Sequence, residues 1–221
     1  MSYDLKLSEL EFGSLLTYSP RGVSDSARKA RKVMLDIKYD RYVGSKDHPI
    51  LISRYISDLV RKQIGSLAFA HFFDDDPILV PVPNSSLMKA DTLWVPYRLA
   101  TALFENGFGI GVVNMLKRKI ALPKAATSRP QDRPKAARHC QSLEIQEILS
   151  FPKHILLIDD VVTRGATLLG AANKLSKAYP GVDIQAFSAM RTISQSNDFK
   201  DLLDPCAGRI TLIGEETRRR P

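Results

Sequence analysis

The chain has 221 residues, of which 25% are charged and 44% hydrophobic, the balance of a soluble globular protein able to bury a good core. No apolar run approaches the roughly 20 residues that span a bilayer, and Met1-Ser2-Tyr3-Asp4-Leu5-Lys6 lacks a signal-peptide pattern, so a cytoplasmic location without membrane partners is expected. The net charge of +8 favours anionic partners without naming them, and Cys140 and Cys206 lack the paired spacing of a zinc site or disulfide framework.

Residues 1 to 23 mix apolar and polar types without a clear period, and Ser19-Pro20-Arg21-Gly22 reads as a turn. Ser24 or Asp25 can cap a helix that carries Ala27, Ala30, Val33, Met34 and Ile37 inward. Its outward Arg28, Lys29, Arg31 and Lys32 read as a solvated face, since no aromatics are interleaved to suggest nucleic acid. From His48-Pro49 a second helix is marked by Ile52, Tyr55, Ile56, Leu59, Val60 and Ile64, ending at Gly65. Asp74-Asp75-Asp76-Pro77 reads as an exposed turn rather than a metal site. The apolar strand Ile78-Leu79-Val80-Pro81-Val82-Pro83 then ends in two prolines, which hold the backbone in an extended path and lower the cost of a cis peptide. Small polar residues follow at Asn84, Ser85 and Ser86.

Thr92 to Asn106 has a helical stripe of Leu93, Tyr97, Ala100 and Phe104 with Leu99 and Leu103 nearby, and Trp94 reads as core more readily than as a base-stacking platform. Gly111 to Leu116 reads as a short strand followed directly by Lys117-Arg118-Lys119. Between Ile120 and Cys140 the hydrophobic period is lost, and Arg129, Arg133, Lys135 and Arg138 sit among three prolines. A loop of that length inside a compact domain is functional, mobile, or a solvated basic linker.

The most informative stretch is Ile155-Leu156-Leu157-Ile158-Asp159-Asp160-Val161-Val162-Thr163-Arg164-Gly165-Ala166-Thr167. Ile155 to Ile158 lack polar alternation and suit a central parallel strand. Leu168, Ala171, Ala172, Leu175 and Ala178 recur at helical spacing. The intervening turn therefore offers unpaired N–H groups, a helix dipole and two threonine hydroxyls, a set that fits a phosphate monoester. Asp159 and Asp160, one step earlier, can accept hydrogen bonds from vicinal sugar hydroxyls or help hold hydrated Mg²⁺. Val182 to Arg191 reads as the next strand, 192 to 208 as a polar connection, and Arg209 to Ile213 as a last short strand.

This stretch closely resembles the phosphoribosyl pyrophosphate (PRPP) motif of type I phosphoribosyltransferases, and Val80-Pro81-Val82-Pro83 resembles the competence protein ComF group within that superfamily. The resemblance covers about residues 77 to 191 and implies an α/β, doubly wound, mostly parallel sheet with flanking helices and a small variable hood. A single domain is expected over 1–221, with a helical part or hood in 1–75, a PRPP-binding core in 76–191 and an extension in 192–221. The implied roles are the ribose and Mg²⁺, through water or ribose, for Asp159 and Asp160; the 5′-phosphate for Thr163, Arg164, Gly165, Ala166 and Thr167; and pyrophosphate for Pro83, Asn84 and Ser85. Arg118, Arg133, Lys135 and Arg138 would neutralise the pyrophosphate as a flexible basic loop closes. The implied partners are PRPP and a nitrogenous acceptor, with a homodimer as the expected assembly and nucleic acid as a further partner resting on charge alone. Two activities compete: transfer to a nitrogen base or amine, and non-catalytic sensing of PRPP or a nucleotide. Three departures from the ComF pattern bear on them: no zinc ribbon is present, Met88-Lys89-Ala90-Asp91-Thr92-Leu93 replaces an Arg-Gly-Phe-Asn segment, and Arg164 stands where a small residue or threonine is commoner.

Overall fold

Ile155, Leu156, Leu157 and Ile158 are all buried, and they alternate between two separate cores. Such a strand can only lie in the middle layer of a three-layer sandwich. The computed structural model describes residues 5–123, 129–146 and 152–221. Its elements begin with β1 (Glu9–Tyr18), α1 (Asp25–Lys38), β2 (Tyr42–Gly44), β3 (Pro49–Leu51) and α2 (Ile52–Gln63). Then come β4 (Ile78–Pro81), α3 (Val95–Glu105), β5 (Gly111–Val112), β6 (Leu116–Arg118), α4 (Ala136–Ser142) and β7 (Leu143–Ile145). The central strand is β8 (His154–Val162), followed by α5 (Ala166–Ala178), β9 (Asp183–Thr192), β10 (Leu203–Ile213) and β11 (Glu216–Arg220).

Seven strands form the main sheet in the order β11-β10-β1-β9-β8-β4-β5. The five from β1 to β5 pair in parallel, while β10 and β11 add an antiparallel edge. One face carries α4 and α5, with Leu168 and Leu175 of α5 in one core with Ile155 and Leu157; the other carries α1, α2 and α3 over Leu156, Ile158 and Phe187. Each fully buried leucine, isoleucine or phenylalanine contributes about 1.5–3 kcal/mol relative to exposure. The result is a mixed α/β protein with a mostly parallel sheet and helices on both faces. Among the described residues no helix is long and apolar enough to cross a membrane.

Several expectations are corrected. Residues 9–18, which show no period, form β1 in the interior of the sheet; Phe12 to Thr17 are buried throughout, so no alternation marks them. Segment 1–75 therefore supplies a central strand as well as helices. The second helix starts at Ile52 after the short β3, and Tyr55 is exposed. Helix α3 starts at Val95 and buries Leu99, Ala100 and Leu103, leaving Tyr97 and Phe104 outside. The basic stretch before Cys140 contains α4, with residues 124–128 outside the described set. The supposed polar connection ends at Leu203, where the 11-residue β10 begins. No cis peptide occurs among the described residues, so the prolines rigidify their loop in trans. Other expectations match: Ser24 caps α1 by accepting from the Ala27 amide at 3.2 Å, and the acidic triplet is an exposed turn with Asp75 and Asp76 at positive φ.

Candidate functional site

Within the parallel strands the chain runs from β4 outward to β5 on one side, and from β8 outward to β9 on the other. β4 and β8 are nevertheless neighbours, paired from Ile78↔Ile155 to Pro81↔Ile158. Their onward connections diverge, and in open α/β sheets that divergence marks the ligand-binding crevice beyond the carboxyl ends of the strands; the hollow lined by His71, Pro77, His154 and Asp183 lies at the opposite end of the sheet. Both sequence motifs meet at the divergence, one on each lip.

The first lip is the segment after β4. The carbonyls of Val82 to Ser85 are tied back to the scaffold: Val82 accepts from Trp94 Nε1 at 2.8 Å, Pro83 from Arg118 Nη2 at 3.2 Å, Asn84 from Arg118 Nε at 2.9 Å and Ser85 from the Leu122 amide at 2.8 Å. The Asn84 side chain donates to the Leu93 carbonyl at 3.0 Å. Among the described residues no acceptor is bonded to the amides of Asn84, Ser85 and Ser86. A loop whose acceptors are engaged and whose donors are free is built to meet an anion.

Arg118 is the strut of this lip rather than a cation on a closing loop. It lies in β6, only 3% exposed, and its third bond runs from Nη1 to Ser142 Oγ. Burial pulls its pKa down to about 10 while Asp159 acts in the opposite sense, so it stays charged at neutral pH. The other expected basic groups lie at and before the start of α4. Lys135 immediately precedes α4 and pairs with Glu215 at 2.6 Å and Glu216 at 3.6 Å; Arg133 is half-buried and engaged within the protein; Arg138 is exposed on α4. The Lys135 ammonium therefore already has carboxylate partners.

The second lip starts inside β8, which extends through the acidic pair to Val162. The Asp160 amide donates to Asp159 Oδ1 at 2.9 Å, and the Val161 amide donates to Asp160 Oδ1 at 2.7 Å. Asp160 also receives Lys38 Nζ at 3.2 Å. Burial opposes the charge on Lys38, but Asp160 and Asp159 outweigh it and raise its pKa. Asp159 has no ion-pair partner among the described residues, and burial together with the Asp160 carboxylate pushes its pKa well above the usual range. An under-compensated carboxylate pair suits a hydroxyl-rich ligand or a cation. Among the described residues no three His, Cys, Asp or Glu side chains are grouped as a metal cage. Mg²⁺ does not need one, since it commonly takes one or two carboxylates and fills its other positions with water and substrate phosphate. Asp159 and Asp160 fit that mode.

The loop beyond β8 reaches α5 through Gly165, whose φ of 84° is left-handed. Its carbonyl accepts from the Leu169 amide at 2.9 Å, while the first-turn amides of Ala166, Thr167 and Leu168 have no intrahelical acceptor. Thr163 Oγ1 lies 3.2 Å from Thr192 Oγ1, and Thr167 Oγ1 lies 3.4 Å from His139 Nε2. Arg164 is turned to Glu216, 3.5 Å away.

The hairpin of β10 and β11 braces this loop from behind. Arg219 donates from Nε to the Thr163 carbonyl at 2.9 Å and from Nη2 to the Thr192 carbonyl at 2.5 Å. Ile210 lies where a side chain on Gly165 would point, 2.5 Å from the position of its β-carbon. Gly165→Val is therefore expected to lose about 2–4 kcal/mol, from left-handed strain plus overpacking. Urea denaturation measures this, and an unchanged midpoint would contradict the tight seat.

No family model matches the chain, and no curated protein does either. The chemistry must be argued from the site itself. Sequence reasoning missed Lys38, His139, Ser142 and Arg219, all contributed by elements outside the motifs. His139 was detectable, since Ala136, His139, Cys140 and Leu143 follow a helical stripe of buried positions. Taken together, the crevice offers amide donors on one lip, a helix start on the other and two carboxylates between them.

Proposed function

We propose that the protein is a phosphoribosyltransferase that binds PRPP with Mg²⁺, transfers the phosphoribosyl group to a nitrogen base or amine, and releases pyrophosphate. The observation that carries this reading is the switch point between β4 and β8, with a loop whose amides have no acceptor among the described residues after one strand and carboxylates followed by a helix start after the other. A ligand with phosphates at both ends and a diol in the middle satisfies all three features at once.

In this reading the amides of Ala166 and Thr167 and the hydroxyls of Thr163 and Thr167 hold the 5′-phosphate. Asp159 and Asp160 accept from the ribose hydroxyls, and their negative charge favours the oxocarbenium character that develops on the ring as the C1–oxygen bond breaks. The amides of Asn84 and Ser85 take the departing pyrophosphate, with Arg118 setting their direction. When bound, Mg²⁺ neutralises charge on the leaving group. No protein nucleophile is required, so catalysis consists of alignment and fixed charge.

The test is pyrophosphate release from PRPP with a panel of nitrogenous bases and amines. Acceptor-dependent release supports the transferase. The Lys38–Asp160 and Arg164–Glu216 pairs favour a second reading, a sensor that binds PRPP without turnover, because binding would exchange existing ion pairs and so alter the surface around α1 and the hairpin. Saturable PRPP binding with no release for any acceptor selects the sensor. Absence of binding overturns both.

A further inference from the structure

A chain of buried polar groups behind the crevice belongs to neither motif. Arg118 donates to Ser142 Oγ, Ser142 Oγ donates to the His139 carbonyl at 2.8 Å, and the His139 ring reaches Thr167 Oγ1 with Nε2 at 3.4 Å. Arg118, Ser142 and His139 are 3%, 0% and 5% exposed. This chain runs from the scaffold of one lip to the hydroxyl of the other. α4 can carry it because α5 has Gly170 at the crossing, where a β-carbon would lie 2.6 Å from His139 Cβ.

His139 Nδ1 is buried and has no hydrogen-bond partner among the described residues. A protonated ring would bury an unpaired N–H and a charge beside Arg118; burial first and Arg118 second pull its pKa down to about 3. The ring is therefore neutral, and the location of its single proton follows from the orphaned atom. An orphaned buried N–H is rarer and costlier than an unused acceptor lone pair. The proton accordingly sits on Nε2, which donates to Thr167 Oγ1 and leaves the threonine hydroxyl hydrogen free to turn outward.

We propose that His139 is a positioning residue: its Nε2–H holds the Thr167 oxygen from behind, so that the Thr167 hydroxyl is presented as a donor to the ligand's 5′-phosphate. This rests on the phosphoribosyltransferase reading of the crevice and deepens it. A hydroxyl held as a donor matches the unprotonated oxygens of a phosphate monoester, which are acceptors only.

The experiment is isothermal titration of ribose 5-phosphate, and separately pyrophosphate, into the full chain and into His139→Gln, His139→Leu and Thr167→Val. His139→Leu and Thr167→Val should each weaken ribose 5-phosphate about tenfold, with the double variant no worse than either. Pyrophosphate affinity should stay within about twofold, since Ser142 is bonded to the His139 carbonyl and not to its ring. His139→Gln, whose amide can replace the donor, should restore ribose 5-phosphate binding to within about threefold. The imidazole ¹⁵N shifts should report a neutral Nε2–H tautomer from pH 5 to 8, with Nε2 moving when ribose 5-phosphate is added. A His139→Leu protein that binds ribose 5-phosphate like wild type, an Nδ1–H tautomer, or a ring that titrates in that window overturns the inference while leaving the transferase reading intact. Failure of the wild-type chain to bind either ligand overturns both. If the leucine variant does not fold, the glutamine variant and the tautomer decide.

Discussion

Replacing Arg118 with methionine is expected to lower stability by about 3 kcal/mol or more, since removing a donor from a buried acceptor forfeits about 1–3 kcal/mol each time. The Pro83 and Asn84 carbonyls would lose their donor, and the Ser142 hydroxyl would keep only its own bond to the His139 carbonyl. For a chain of this size the melting temperature should fall by about 6–12 °C. Lysine should not rescue it, because one ammonium cannot reproduce a planar fork that serves acceptors in three directions. Calorimetry on both variants checks this, and a methionine variant melting within about 2 °C of wild type would mean that the carbonyls find other donors. The same substitution should weaken pyrophosphate binding, because the carbonyls that Arg118 holds back would be free to rotate toward the anion.

The second large effect concerns the acidic pair. The double variant Asp159→Asn, Asp160→Asn should lose at least about 1.4 kcal/mol of PRPP affinity, or tenfold, together with its turnover. Titration with PRPP and Mg²⁺ measures it, and unchanged affinity would remove both residues from the ribose site. Asp159→Asn alone should have the opposite effect on the ligand-free protein and raise its melting temperature at pH 7. The sign follows from linkage. Asp159 has a folded pKa raised by burial and by Asp160, against about 3.9 in the unfolded chain. The folded state therefore keeps the proton longer, so stability is greatest below the unfolded value and declines as pH rises until the folded value is passed. Asparagine removes that decline, and its advantage over wild type should vanish below about pH 4. A variant equally stabilised at all pH values would point to packing instead.

Much of the site is legible in the residues because its parts are local. The run Ile155 to Thr167 encodes strand, acids, turn and helix in a single stretch, and the prolines before Asn84 announce a rigid loop. What is not legible comes from positions where polarity and burial disagree. Lys117-Arg118-Lys119 reads as a charge run, yet Leu116 and Arg118 share the inward face of β6 while Lys117 points out. Strand parity was the available signal, and a three-residue strand is too short to display it. β1 hides for a related reason, since Gly13, Ser14 and Thr17 are buried beside Phe12 and Leu15. Buried on both sides, it carries small polar residues where alternation would otherwise appear. From sequence β10 reads only as Arg209–Ile213, because Asp204, Pro205 and Gly208 look like punctuation; these three lie before the stretch that pairs with β11, where one side of the strand is free and tolerates them.

The place of β1 also sets a schedule for making the molecule. Phe12 is partnered by Ala186 on one side and Gly208 on the other, both near the far end of the chain. At about 5–20 residues added per second on the ribosome, this apolar segment waits on the order of 10 s or more for either neighbour. Until then it is a sticky, unpaired ribbon, a natural client for a chaperone and the first place where crowded nascent chains would cohere.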